Sequence, residues 1–245
     1  MTTPNPPIEI TFRIPGQWSG PREVVERLPG GYSIEGQHLS MPDGSKVEIY
    51  PRPADDQFAG IFANACRQPP EDDEQEIINQ YTVNICLCGP GGSMEQALTM
   101  MQAGSAIVSA GGAGVFIDNC AMAHGGQLWQ EMAEDGGSDA LTFAYVSVIN
   151  NGQEIWTMGM HILGYPDLVM RCQDHETDAE TIIETVRYVG RGEKPIGDGH
   201  LLGDEHGARF QATAADDQQM PADSPMYNPF RRLRLTSLKD IAEGN

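Results

Sequence analysis

Residues 81–110 read YTVNICLCGPGGSMEQALTMMQAGSAIVSA. Residues 81–88 are mostly apolar, six of eight, and have the length of a buried strand, and a glycine-rich break follows at residues 89–93. Residues 94–110 carry apolar side chains at helical spacing, and Ser93 stands where a helix N-cap is expected. The segment therefore predicts a strand, a tight turn and a long helix in succession, which indicates a protein that mixes sheet and helix.

The N-terminal flank predicts a strand, a helix and a loop. Residues 8–14 alternate apolar and polar side chains, which is typical of a half-buried strand. Residues 58–67 predict a compact helix. Residues 68–75, QPPEDDEQ, predict an acidic loop because proline and clustered charge disfavour a packed element.

The C-terminal flank predicts a hairpin and a helix. Residues 141–149 and 154–162 read as two strands, and Asn151-Gly152 between them supplies the positive φ angles of a tight turn. A helix is expected at residues 178–189, preceded by a capping loop at Asp174.

These elements together predict an α+β protein of two lobes, each a mostly antiparallel sheet packed by helices, with ferredoxin-like character. We expect an N-terminal α/β lobe at residues 1–138 and a C-terminal α+β lobe at residues 139–245. No stretch has the composition of a linker, so one compact domain is the alternative.

The charge of the chain restricts its partners. It has 15 lysines and arginines against 35 aspartates and glutamates, a formal net charge of −20. Such a surface repels nucleic acid and anionic membranes and favours a basic protein partner, although a merely solvated acidic surface is the simpler alternative. The sequence leaves the oligomeric state open.

The cysteines and the N-terminus bear on the compartment. The five cysteines are odd in number and lie mostly in apolar runs, which favours reduced thiols over a disulfide framework; they are Cys66, Cys86, Cys88, Cys120 and Cys172. Cys86 and Cys88 share a strand face, where core packing is favoured over a metal site. Residues 1–7 lack the features of a signal peptide, and no run of about 18 apolar residues occurs. We therefore expect a cytoplasmic protein.

The densest side-chain chemistry lies in a six-residue echo, GDGH at residues 197–200 and GDEH at residues 203–206. In one extended strand, Asp198, His200, Asp204 and His206 would share a face and could ligate a divalent metal. Four glycines between positions 197 and 207 favour turns instead, in which the aspartates bind nearby backbone amides.

Two further positions are candidates for a site. His161 lies in an apolar stretch, where it is either a hydrogen-bonded core histidine or a general base that joins His200 or His206. The backbone of Gly91, Gly92 and Ser93 precedes a helix and predicts at most a weak anion site, because no lysine accompanies it.

Several stretches resemble a bacterial family known as domain of unknown function 4261. They are Ser147-Val148, IWTMGM from Ile155, LGYPD from Leu163, GVFI from Gly114, and Trp129. The resemblance implies a cytosolic bacterial protein of α+β fold and supplies no catalytic residues.

The leading hypothesis is a non-enzymatic acidic module that binds and neutralises a basic protein such as a nuclease-type toxin. No cofactor is expected on this interpretation. The alternative is a metal-assisted hydrolase in which His161, His200 and His206, with Asp198 or Asp204, hold a divalent ion. A third possibility is small-molecule binding in a cleft.

Overall fold

The computed structural model describes residues 7–192, 194–204, 207–215 and 220–243, and within them it has thirteen strands and eight α-helices. The strands form a seven-stranded and a six-stranded sheet, and all neighbouring pairs are antiparallel except one. The predicted α+β class, with two mostly antiparallel sheets packed by helices, is confirmed.

The first sheet is built from the N-terminal half of the chain. Its strands are β1 (Ile8–Gly16), β2 (Ser33–Glu35), β3 (His38–Ser40), β4 (Lys46–Pro53), β5 (Val83–Gly91), β6 (Gly114–Ile117) and β7 (Met122–Gly125). The strand order is β2-β3-β4-β5-β1-β6-β7. The longest pairing joins β1 to β5, and the alternation predicted for β1 places Ile10, Phe12 and Ile14 in the core.

The second sheet follows in the C-terminal half. Its strands are β8 (Ser147–Asn150), β9 (Glu154–Met158), β10 (Asp167–Arg171), β11 (Leu201–Asp204), β12 (Gly207–Ala215) and β13 (Arg232–Ser237). The order is β11-β12-β13-β10-β9-β8, and β10 with β13 is the one parallel pair. The predicted hairpin is confirmed, since β8 and β9 meet across a turn in which Gly152 has a φ of 87°.

The helices pack against these sheets. They are α1 (Pro21–Arg27), α2 (Phe58–Ala65), α3 (Asp72–Asn79), α4 (Met94–Ser109), α5 (Gly126–Asp135), α6 (Ser138–Tyr145), α7 (His175–Gly190) and α8 (Leu238–Glu243). The predicted caps are confirmed: the Ser93 side chain accepts from Gln96 N at the start of α4, and Asp174 accepts from Thr177 N at the start of α7.

Three predictions of secondary structure are wrong. The expected loop at residues 68–75 contains the start of α3, which a capping box between Glu71 and Glu74 stabilises. Most of the strand expected at residues 141–149 is α6, because a short apolar run does not distinguish a buried helix from a strand. The strand expected to continue to residue 162 ends at Met158 and gives way to a 3₁₀ helix, Met160–Leu163.

An aromatic group lies at the centre of the main core. The rings of Phe12 and Trp129 meet edge to face at 5.3 Å between centroids, and Tyr145 lies about equally close to both. The indole N–H of Trp129 donates to Met101 O and the Tyr145 hydroxyl to Ala97 O, so both polar tips are satisfied on α4. This group fixes α4, α5 and α6 against one face of the first sheet.

The main hydrophobic cluster includes residues of both sheets, from Phe12 in the first to Leu233 in the second. The first sheet ends at Gly125 and the second begins at Ser147, on either side of the predicted boundary at residue 138. The division into two lobes stays a prediction. None of the helices in the described ranges is long and apolar enough to cross a membrane.

Candidate functional site

The first half of the histidine-aspartate echo is a turn. His200 N donates to Gly197 O, Gly199 has a φ of 79°, and Asp198 Oδ1 accepts from Ala214 N at 2.8 Å. The amide that Asp198 binds lies 16 positions away on β12, and not within the turn itself. The favoured turn at residues 197–200 is followed by β11, which begins at residue 201 and whose pairing register shifts after Leu202.

The imidazoles of the proposed metal site lie in different surroundings. His200 is exposed, and its Nδ1 lies 3.2 Å from Gly197 N and from Pro195 O. His161 is only 1% exposed, in the 3₁₀ helix. His206 and the side chain of Asp204 lie outside what the structure describes. Among the described residues, no three histidine, cysteine, aspartate or glutamate side chains are placed to hold a metal ion, so the metal-assisted hydrolase stays a prediction.

His161 links the core to the C-terminal part of the chain. Its Nε2 lies 3.1 Å from Pro225 O, and because a carbonyl only accepts, Nε2 carries the proton. Nδ1 is then a buried acceptor without a partner among the described residues. Burial lowers the pKa of His161 to about 4, so the ring is neutral at pH 7. Asn119 Nδ2 donates to the same carbonyl, which ties the first sheet to this segment. A structural role accounts for these contacts.

The glycine-rich turn at the start of α4 is pinned by the protein itself. Gly92 N donates to Ile162 O at 2.9 Å, and the Ser93 hydroxyl caps the helix. A Cβ on Gly164 would overlap Gly92 O, so the two backbones approach closely here. The weak anion site predicted at Gly91, Gly92 and Ser93 therefore lacks the Gly92 N–H as a donor.

A buried carboxylate that the sequence did not reveal lies at the start of β10. Asp167 accepts hydrogen bonds from Thr157 Oγ1, Met160 N and Asn228 Nδ2. Burial raises its pKa to about 7, against the lowering effect of these bonds and of the charge on Arg232. The space beside it is about 20 Å³, enough for about one water. This cluster packs the core around β9 and β10.

The cysteines of β5 are buried on the outer face of the first sheet, which is the face away from α4. Cys86 is fully buried and Cys88 is 9% exposed, so the predicted packing role is confirmed. Burial raises the pKa of Cys86 to about 11, which keeps it a neutral thiol and a poor nucleophile at pH 7. All five cysteines are free thiols.

Helices α2 and α3 cover one end of this outer face. Phe58, Phe62, Ile78, Tyr81 and Phe116 form a separate small hydrophobic cluster beneath them. We call residues 55–80, which include both helices, the acidic helix pair, because they carry seven carboxylates and a single arginine.

The one arginine of the acidic helix pair is exposed, and its guanidinium is held at the end of α6. Arg67 Nη2 donates to Val146 O at 2.7 Å, and the guanidinium lies 4.5 Å from the centroid of the Phe143 ring. Asp72, Asp73 and Glu76 lie along the exposed side of α3. The charged side chains that α3 exposes are therefore all carboxylates.

Glu74 differs from its neighbours because it has a structural role. Its Oε2 accepts from Glu71 N within the capping box, and its Oε1 accepts from Gln127 N at 2.6 Å. The same carboxylate thus satisfies a free amide at the start of α5 as well as one at the start of α3. It fixes the acidic helix pair to the rest of the protein.

An open cleft of about 570 Å³ lies between the outer face of the first sheet and the start of α2. We call it the arginine cleft, because Arg13 of β1 and Arg52 of β4 line it together with Asn84 of β5. Arg52 and Asn84 are direct cross-strand neighbours. Asp55, Asp56 and Phe58 contribute to the opposite side.

The polar groups of the arginine cleft are incompletely paired. Nε and Nη2 of Arg13 donate to the Asp118 carboxylate at 2.9–3.1 Å. Arg52 forms no ion pair with any described residue and lies 5.5 Å from the centroid of the Tyr50 ring. Asn84 is only 4% exposed, and within the described part of the chain its Oδ1 has no hydrogen-bond partner. An orphaned buried acceptor costs about 1–3 kcal/mol, so this position is a departure from ordinary packing.

Comparisons with known proteins give no relative: no family model, curated protein or solved structure matches this chain.

Proposed function

We propose that this protein is a non-enzymatic module that binds a basic protein partner through the acidic helix pair. The observation that carries the proposal is the row of Asp72, Asp73 and Glu76 on the exposed side of α3, together with a single arginine whose guanidinium is engaged by Val146 O. The resemblance to family 4261, a bacterial origin and a cytoplasmic location stay predictions beside it.

The charge on this surface suits recognition of lysine-rich or arginine-rich segments. Carboxylates on one helix face attract a cationic partner over roughly a Debye length of about 8–10 Å and raise the rate of encounter. Neutralisation of a basic partner would follow directly from such binding.

The acidic helix pair also exposes an apolar side chain. Ile61 on α2 is 47% exposed. An apolar side chain beside charged ones is the composition of an interface with a small hydrophobic centre and a polar rim. We expect a partner that presents both basic and apolar groups.

The test compares two charge-matched variants. The first is Asp72→Asn with Asp73→Asn and Glu76→Gln, which spares the structural Glu74. The control replaces three exposed glutamates of α7 by glutamine and changes the net charge equally; they are Glu176, Glu180 and Glu184. The probe is a fluorescent peptide of alternating lysine and leucine, followed by anisotropy at low and at physiological salt.

We expect the α3 variant to bind the peptide about tenfold more weakly than the parent, because each exposed charge contributes roughly 0.2–1 kcal/mol. The α7 variant should differ from the parent by less than about twofold, and added salt should weaken all binding. Equal weakening in both variants would mean that only the total charge matters. That result, or no binding by the parent protein, would overturn the proposal.

A further inference from the structure

We propose that the arginine cleft binds the free C-terminal carboxylate of a basic polypeptide. This assignment rests on the proposed function, because the ligand would be the C-terminus of the basic partner, bound at the outer face of the first sheet. It assigns a ligand to a cleft in which two arginines and a buried amide meet across three neighbouring strands.

Arg52 is the side chain of the cleft that suggests an anionic ligand. Although the chain carries a net charge of −20, this guanidinium forms no ion pair with any described residue. Its planar set of N–H donors matches a carboxylate in a two-point arrangement. Arg13 is held by Asp118 through Nε and Nη2, and its Nη1 makes no hydrogen bond to a described residue. A carboxylate placed between the two guanidiniums would therefore find donors on both sides.

Asn84 distinguishes a peptide terminus from a simple anion. Its side chain is 96% buried in the wall of the cleft, and its Oδ1 lacks a donor. The last residue of a polypeptide presents a carboxylate and, two covalent bonds from its carboxyl carbon, a peptide N–H. That N–H can satisfy Asn84 Oδ1 while the carboxylate binds the arginines.

The far side of the cleft disfavours a polyanion. Asp55 and Asp56 are exposed there and would repel a phosphate or a ligand with several negative charges. The same carboxylates attract a ligand whose remaining groups are cationic. A polypeptide whose C-terminal carboxylate is preceded by basic side chains fits both halves of the cleft.

The cleft is continuous with the acidic helix pair. Asp55, Asp56 and Phe58 line the cleft and also begin the segment that contains α2 and α3. A chain that leaves the cleft on this side passes Asp55 and Asp56, the first two carboxylates of the acidic helix pair. The terminus and the basic residues that precede it would therefore be bound by adjoining parts of one surface.

The experiment uses two acetylated peptides of about twelve alternating lysine and glycine residues, one ending in a free carboxylate and one in an amide. The full-length protein is compared with Arg52→Gln and with Arg22→Gln, which removes another exposed arginine, on α1. We expect the carboxylate peptide to bind the parent protein about tenfold more tightly than the amide peptide. Arg52→Gln should abolish that preference and leave binding of the amide peptide within about twofold, whereas Arg22→Gln should retain the preference.

A second measurement separates the cleft from the proposed function. N-acetyl-lysine at millimolar concentration should shift the side-chain amide resonances of Asn84, and N-acetyl-lysine amide should not. Equal binding of the two peptides with no such shift would overturn the cleft assignment and leave the acidic helix pair standing. If neither peptide binds, the proposed function fails. The presence or absence of the shift at Asn84 then decides whether the cleft binds a terminal carboxylate.

Discussion

His161→Gln should reduce the acid sensitivity of this protein. The pKa of His161 falls from 6.5 to about 4 in the folded state because the ring is buried, with Nδ1 unpaired. The unfolded chain therefore takes up the proton first as the pH falls below 6.5. Stability from this group is complete at high pH, is lost as the pH falls from about 6.5 to 4, and changes no further below that.

The size of the effect follows from the two pKa values. When the pH falls from 7 to 5, protonation of His161 in the unfolded state lowers the free energy of unfolding by about 1.8 kcal/mol. His124 is fully buried and also has its pKa lowered to about 4, so it acts in the same direction. Asp167 acts in the opposite direction, because its pKa is raised and the folded state takes up the proton first.

Urea unfolding at the two pH values isolates the contribution of His161. Glutamine retains an N–H that can donate to Pro225 O but cannot be protonated in this range. The loss of stability between pH 7 and pH 5 should be about 1.8 kcal/mol smaller in His161→Gln than in the parent, whatever the substitution costs at pH 7. His38→Gln, at an exposed position, is the control. A difference below about 0.5 kcal/mol between His161→Gln and the parent would refute the buried, neutral state of this ring.

Two further substitutions test the architecture around the sites. Glu74→Gln should lower the unfolding free energy by about 1–2 kcal/mol, because one charged cap serves two helices, whereas the exposed Glu76→Gln should change it by less than about 0.5 kcal/mol in the same urea titration. Gly159→Ala should cost more than about 3 kcal/mol, since φ is 107° and the new Cβ would overlap Tyr145 O. Gly152→Ala, with a φ of 87° but open space around it, should cost only about 1 kcal/mol, and equal thermal shifts for the two alanine variants would contradict this.

Local patterns were sufficient for several elements. The alternation at residues 8–14 identified β1, and the helical spacing after Ser93 identified α4 together with its cap. The Asn151-Gly152 dipeptide located the hairpin. In each case neighbours in the sequence determine the conformation, since period, cap and turn are properties of a few consecutive residues.

The errors have a common cause. The acidic stretch before α3 contains a glutamate pair at capping-box spacing ahead of Ile77 and Ile78, a signal that proline and dense charge obscured. The apolar run of α6 has no distinctive period. Asp167 and Asn228 are 61 positions apart, and neither position suggests the other before the chain folds.

The sequence by itself determined the α+β class, the acidic charge, the principal strands and helices, and the turn chemistry of residues 197–200, because these depend on composition and on local spacing. The tertiary structure decided that the Arg67 guanidinium binds Val146 O at the end of α6. It also decided that Arg13, Arg52 and Asn84 meet at one cleft. The physical reason is strand register: pairing of β1, β4 and β5 brings distant residues onto one face, and no local pattern specifies which of them become neighbours.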